Sequence, residues 1–122
     1  MGNGKEAKPF DLEERALLFA KNVRSLLKSL PRTLSNIEDG RQLIRASGSV
    51  GANYIEANDA LSKKDFLLRA KIARRESREC RFFLRLLDTS QSPDAEQLRE
   101  WLAQEAGELM NILSAMIRNA EQ

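Results

Sequence analysis

The sequence contains no histidine. That absence removes Ser–His and Cys–His nucleophile pairs, imidazole general bases, and the Glu-x-x-His ligand sets used by zinc and di-iron bundles. A single cysteine, Cys80, excludes an intrachain disulfide and a thiolate metal cluster. Its position inside an apolar helical run reads as a small core residue rather than a reactive thiol. Three prolines, six glycines and few β-branched residues leave little for strands or tight turns. No apolar run approaches the roughly 20 residues needed to span a bilayer, and Met1 to Phe10 lacks the apolar core of a secretion signal. A cytoplasmic chain with no membrane partner and no cofactor is expected.

What remains is charge and helix. In 122 residues, 42% apolar and 31% charged, one domain can fill a core and cover its outside. The net charge of +2 hides a strong internal polarity. Ser62 to Leu87 carries nine basic residues against Asp65, Glu76 and Glu79. Ser92 to Gln122 carries six acids against Arg99 and Arg118. A basic helix beside an acidic one points to binding more than to catalysis.

Periodicity and breaks predict four helices, at about 11–30, 35–58, 62–87 and 93–119, after a disordered or extended tail over 1–10. Asp11 caps the first, Pro31 stops it, and Leu12, Ala16, Phe19, Val23, Leu26, Leu27 and Leu30 form its apolar stripe. The second, starting near Ser35, has a stripe of Ile37, Ile44, Ser47, Gly51 and Ile55, flanked by Leu43, Val50 and Tyr54. Gly48 and Gly51 each cost roughly 1 kcal/mol in a helix interior, a cost that close approach of another helix can offset. Ser62 with Asp65 resembles a capping box, and Ser92 followed by Pro93 opens the fourth helix. On the third helix Leu68, Ile72, Ala73, Cys80, Phe83, Leu84 and Leu87 face the core. Short connections between long helices give an antiparallel up-down-up-down four-helix bundle, all-α.

Three constellations stand out. Lys63, Lys64, Lys71, Arg74, Arg75, Arg78, Arg81 and Arg85 fall within a sector of about 120° on the third helix. This is either a solvated face neutralised by acids of the fourth helix or a neighbouring subunit, or a surface that tracks phosphates of RNA or DNA. Leu67 and Phe82 project into the same sector and read as an oligomer contact. Finally, Glu76 and Glu105 fall on the apolar sides of their helices, where they would share a buried layer near Asn22 and Ser47, with Arg41, Arg45 or Arg69 as the donor. Asn53 and Glu56 read as further bundle-fixing polar groups. The layer is first a register-fixing device. A carboxylate metal site is weakened by the missing histidines, and an enzyme would need the layer to open onto a cleft.

The segments Ser49-Val50-Gly51-Ala52-Asn53-Tyr54-Ile55-Glu56-Ala57, Ser62-Lys63-Lys64-Asp65-Phe66 and Arg74-Arg75-Glu76-Ser77-Arg78-Glu79 resemble the family of 23S rRNA intervening-sequence proteins. The resemblance runs over roughly residues 11 to 119, with Ala57 standing where many relatives carry glycine. It implies a bundle that assembles into a ring, commonly a pentamer, with no catalytic residues. A related branch, the accessory protein of diversity-generating retroelements, binds a reverse transcriptase and nucleic acid. A non-enzymatic oligomeric scaffold with a basic face is therefore expected, the alternative being a purely protein-binding adaptor.

Overall fold

The structure, a computed structural model, describes residues 11–122; the expected tail over 1–10 lies outside the described residues. Four helices follow: α1 (Leu12–Ser29), α2 (Leu34–Asn58), α3 (Lys63–Leu86) and α4 (Pro93–Glu121). Each starts on a side-chain oxygen that accepts from an otherwise unpaired backbone N–H. Asp11 accepts from Glu13 at 3.0 Å, Ser62 from Asp65 at 3.0 Å and Ser92 from Ala95 at 3.3 Å. For α2 the cap is Thr33, accepting from Asn36 at 3.2 Å, so the helix starts one residue before Ser35.

The helices pack α1 on α2, α2 on α3, α3 on α4 and α4 back on α1. Descending residue pairs fix their directions. Gly40 meets Leu27 while Gly51 meets Ala16, Arg45 meets Glu76 while Asn53 meets Arg69, and Arg99 meets Leu84 while Ser114 meets Arg74. Every neighbour is therefore antiparallel. No helix among the described residues is long and apolar enough to cross a membrane.

The main core joins Phe19, Val23 and Leu26 of α1, Leu43 and Val50 of α2, Cys80 and Leu84 of α3, and Leu102 and Leu109 of α4. Each large apolar side chain among them contributes about 1.5–3 kcal/mol when fully buried. A smaller cluster of Ala57, Ala70 and Ile117, with Phe66 and Leu67 against it, sits at the end where α2 turns into α3.

The phase of α2 differs from expectation. Its core side is Leu43, Ala46, Ser47, Val50 and Ala57, whereas Ile37, Ile44 and Ile55 are exposed. Two apolar faces run along this helix, and the bulkier one is not the core. Leu68 of α3, also expected inside, is exposed. Gly51 and Gly40 do let α1 come close: a Cβ on either would stand 3.3 Å from Ala16 or Leu27 respectively. A Cβ on Gly48 would meet only the far end of Arg24, at 3.9 Å.

The turn between α3 and α4 contains no glycine, yet Ser90 and Gln91 hold left-handed φ values of 53° and 61°. Asp88 accepts from the Ser90 N–H at 2.8 Å and organises this turn. Buried Asn36 ties it to the α1–α2 turn. Its Nδ2 donates to the Pro31 and Asp88 carbonyls at 3.0 and 2.9 Å, and its Oδ1 accepts from the Asp88 N–H at 2.9 Å.

Candidate nucleic-acid interface

α3 carries its cations on the side away from the core. Lys63, Lys64, Lys71, Arg75, Arg78, Arg81 and Arg85 are exposed, and Arg74 is half-buried, its Nη1 donating to Ser114 Oγ at 3.5 Å. Lys71 pairs with Glu121 at 3.2 Å and Arg75 lies 3.8 Å from Glu76. Among the described residues, Lys63, Lys64, Arg78, Arg81 and Arg85 have neither an ion-pair nor a hydrogen-bond partner for their side chains.

Among the described residues the acids of α4 make one ion pair with the cations of α3, Glu121 with Lys71, and three others pair elsewhere. Glu105 and Glu108 both turn toward Arg15 on α1, and Glu96 pairs with Arg99 on its own helix. The Arg99 hydrogen bond, more than any other interaction, holds the Glu96 carboxyl below its ordinary range. Arg81 and Arg85 overlook a groove of about 500 Å³ between α3 and α4, whose far wall carries Glu100 and Glu108 beside Gln104, Gly107 and Asn111. A Cβ on Gly107 would touch nothing within 4 Å, so the groove is open at its middle. The two guanidinium groups stand on the α3 rim of this trough, where they can meet phosphates from outside it, while its α4 wall is acidic.

The buried acids sit apart from this surface. Glu105 takes Arg15 at 2.7 and 2.9 Å, which raises the Arg15 pKa further. Glu76 lies 3.4 Å from Arg45, and that charge attraction likewise raises Arg45. Arg15 also reaches Glu108, and Arg45 also reaches Glu79, so each arginine bridges two glutamates one helical turn apart. One bridge closes the α1/α4 flank and the other the α2/α3 flank. Asn22, Ser47 and Ser77 are buried polar residues of the same interior, and among the described residues the Asn22 amide nitrogen has no hydrogen-bond partner.

Of the expected donors, Arg45 reaches Glu76, whereas Arg41 pairs with Glu38 and Arg69 donates to Asn53 at 3.3 Å. Arg15 is not among the expected donors, although it stands three residues after Leu12 and four before Phe19, in phase with the α1 stripe. Asn53 is half-buried and also donates to Ser49. Glu56 is exposed, in the last turn of α2 and turned away from buried Ala57, and does not belong to the buried layer. Leu67 is half-buried against the small cluster of its own subunit rather than projecting freely, while Phe82 is 58% exposed with its ring edge-on to Phe83. No group of three or more metal-ligating side chains forms among the described residues.

These features define a four-helix bundle with a basic outer helix and no assembled catalytic constellation among the described residues. Over residues 8–115 the chain matches the family described as 23S rRNA-intervening sequence protein, and it belongs to that family. It is similar to the crystal structure of a protein of unknown function from the S23 ribosomal protein family of Bacteroides thetaiotaomicron. The two are 27% identical with a TM-score of 0.75, over 88% of this chain and 98% of that one. No curated protein matches it.

Proposed function

We propose that the protein is a non-enzymatic scaffold that assembles into a closed homo-oligomer, a pentamer, and contacts nucleic acid through the basic face of α3. A nucleic-acid-processing protein such as a reverse transcriptase is the partner class that shares this surface. The observation that carries the reading is the set of cations Lys63, Lys64, Arg78, Arg81 and Arg85 on one helix, which form no ion pair among the described residues. Such a surface binds phosphates with little regard to base sequence, and a ring repeats it, so weak interactions add through avidity.

Fluorescence anisotropy with labelled single-stranded and duplex RNA and DNA, across a salt series, tests it. Arg78→Glu with Arg81→Glu should weaken binding of all sequences alike and flatten the salt dependence, by roughly 0.7–0.9 in logarithmic slope for every phosphate no longer neutralised. Absence of binding by the parent at low salt rejects the nucleic-acid role. The reading then becomes a protein-binding adaptor, which the exposed Leu68, Phe82 and Leu86 on the same helix favour.

A further inference from the structure

Among the described residues, two apolar surfaces of the bundle remain uncovered. The first is a groove between α1 and α2 of about 390 Å³, with Leu17 and Ile55 on its walls and Gly48 and Gly51 in its floor. A second depression of about 240 Å³ lies farther along the same two helices, beside Ile37, Gly40 and exposed Ile44. The second surface is an edge of α3: Leu68 and Leu86 stand five helical turns apart and point the same way, with Phe82 about 40° from them. All three are about half exposed or more. Arg74, Arg81 and Arg85 leave α3 on the α4 side, so this apolar edge and the open α3/α4 trough occupy different sides of the helix.

We infer that the apolar edge of α3 in one copy of this chain seats in the α1/α2 groove of the next. The inference rests on the self-assembly part of the reading above and names its two surfaces. Rotation about an axis parallel to the helices leaves every residue at its own height, so the two faces of such a ring must match level by level. The pairs Arg45–Glu76 and Asn53–Arg69 set the heights of α3 against α2. On that register Leu68 stands level with Asn53, between Gly51 and Ile55; Phe82 stands level with Asp39, beside Gly40; and Leu86 stands level with Ser35, beside exposed Leu34. Leu68 and Phe82 thus meet lining residues of the two depressions, and Leu86 falls just beyond them, beside Leu34.

Charge agrees at the upper end. Leu68 lies between Lys64 and Lys71 in a surface patch of α3, while the groove at the same height is rimmed by Glu13. Gly48 supplies a further argument. It weakens its helix, and inside the subunit the space above it is open, with only the tip of Arg24 in reach at 3.9 Å. A helix from another copy is what that bare backbone can admit. The edge and the groove are different surfaces, so the interface is heterologous and propagates until it closes.

Light scattering after gel filtration, with circular dichroism to confirm folding, tests the assignment. Gly48→Leu fills the groove floor and Phe82→Glu charges the edge; Ile44→Glu is a second groove variant should the leucine disturb the helix. Each variant alone should run as a 13.8 kDa monomer while the parent is several times heavier. Mixing Gly48→Leu with Phe82→Glu should restore a species of two chains, because one intact groove and one intact edge remain in the mixture. A monomeric parent overturns the assembly reading and this inference together. An assembled parent whose groove and edge variants stay equally heavy overturns the inference alone, as does a mixture of monomeric variants that never pairs.

Discussion

Arg15 and Glu105, 90 positions apart in the chain, form a two-pronged ion pair at 2.7 and 2.9 Å that joins the first turn of α1 to the middle of α4. The pair has a counterpart across the bundle in Arg45 and Glu76, but the two differ in solvation. The Arg15 side chain is 14% exposed and that of Arg45 is 53% exposed. Removing Arg15 takes a two-pronged ion pair from a buried carboxylate, whereas removing Arg45 leaves Arg75 within reach of Glu76.

Arg15→Met should therefore destabilise the bundle by about 3–5 kcal/mol, and Arg45→Met by about 1 kcal/mol or less. Replacing both partners, Arg15→Met with Glu105→Leu, should recover most of the first loss, since the desolvation of both charges disappears with their attraction. Urea unfolding measures all three. Equal losses from the two arginine variants would show that burial does not set the strength of these bridges.

Asn36 makes three hydrogen bonds that bind two turns at one end of the bundle. Each contributes about 1 kcal/mol, so Asn36→Leu should cost roughly 3 kcal/mol, with the denaturant slope unchanged. Asn36→Asp keeps an acceptor for the Asp88 N–H but sets a buried carboxylate oxygen against the Pro31 and Asp88 carbonyls, so it should cost at least as much as the leucine variant. An aspartate variant as stable as the parent would leave the two donated bonds without energetic weight.

Cys80 is buried, and burial first, then Glu76 and Glu79, push its thiol well above the ordinary range. The nucleophile is the thiolate, so the folded protein should resist a disulfide-exchange reagent at neutral pH. Titration with such a reagent across a urea series should give a labelling midpoint that coincides with unfolding. Rapid labelling in the absence of urea would place the thiol at the surface.

Glu96 has a folded-state pKa lowered from 4.5, chiefly by the hydrogen bond from Arg99. A lowered pKa means that its contribution to stability is complete above about 4.5 and disappears as pH falls through the folded value. Glu96→Gln should therefore melt below the parent at pH 7 and converge with it as the pH falls below the ordinary carboxylate range. The gap should be small, because the pair is partly solvated. A gap that widens on acidification would contradict the sign.

Much of this architecture was legible because three of the four helices announce their start. Asp11, Ser62 and Ser92 are small polar residues placed just before apolar periodicity, and all three cap. Glu76 and Glu105 betrayed their burial by occupying apolar phase. The phase of α2 was misleading for a physical reason: Ile37, Ile44 and Ile55 are larger and more apolar than Ala46, Ser47 and Ala57, but they occupy the outer face. Periodicity reports that a face is apolar and not what covers it. Asn36 was invisible because its role depends on Asp88, a residue 52 positions away. The eight basic residues of α3 were legible as a group, but which of them lack partners depended on where α4's acids turn.

The bundle is also held unequally along its length. At one end Asn36 staples two turns above the main core of Phe19, Leu26, Leu43 and Leu84. At the other, Ala57, Ala70 and Ile117 bury little area, and Leu61 in the turn above them is wholly exposed. Breathing must begin where the least apolar surface is surrendered, so backbone amides around the α2–α3 turn exchange with solvent before those beside Asn36. The molecule frays from one end like a rope whipped at the other, and the first lysines of the basic helix, Lys63 and Lys64, ride on the loose end.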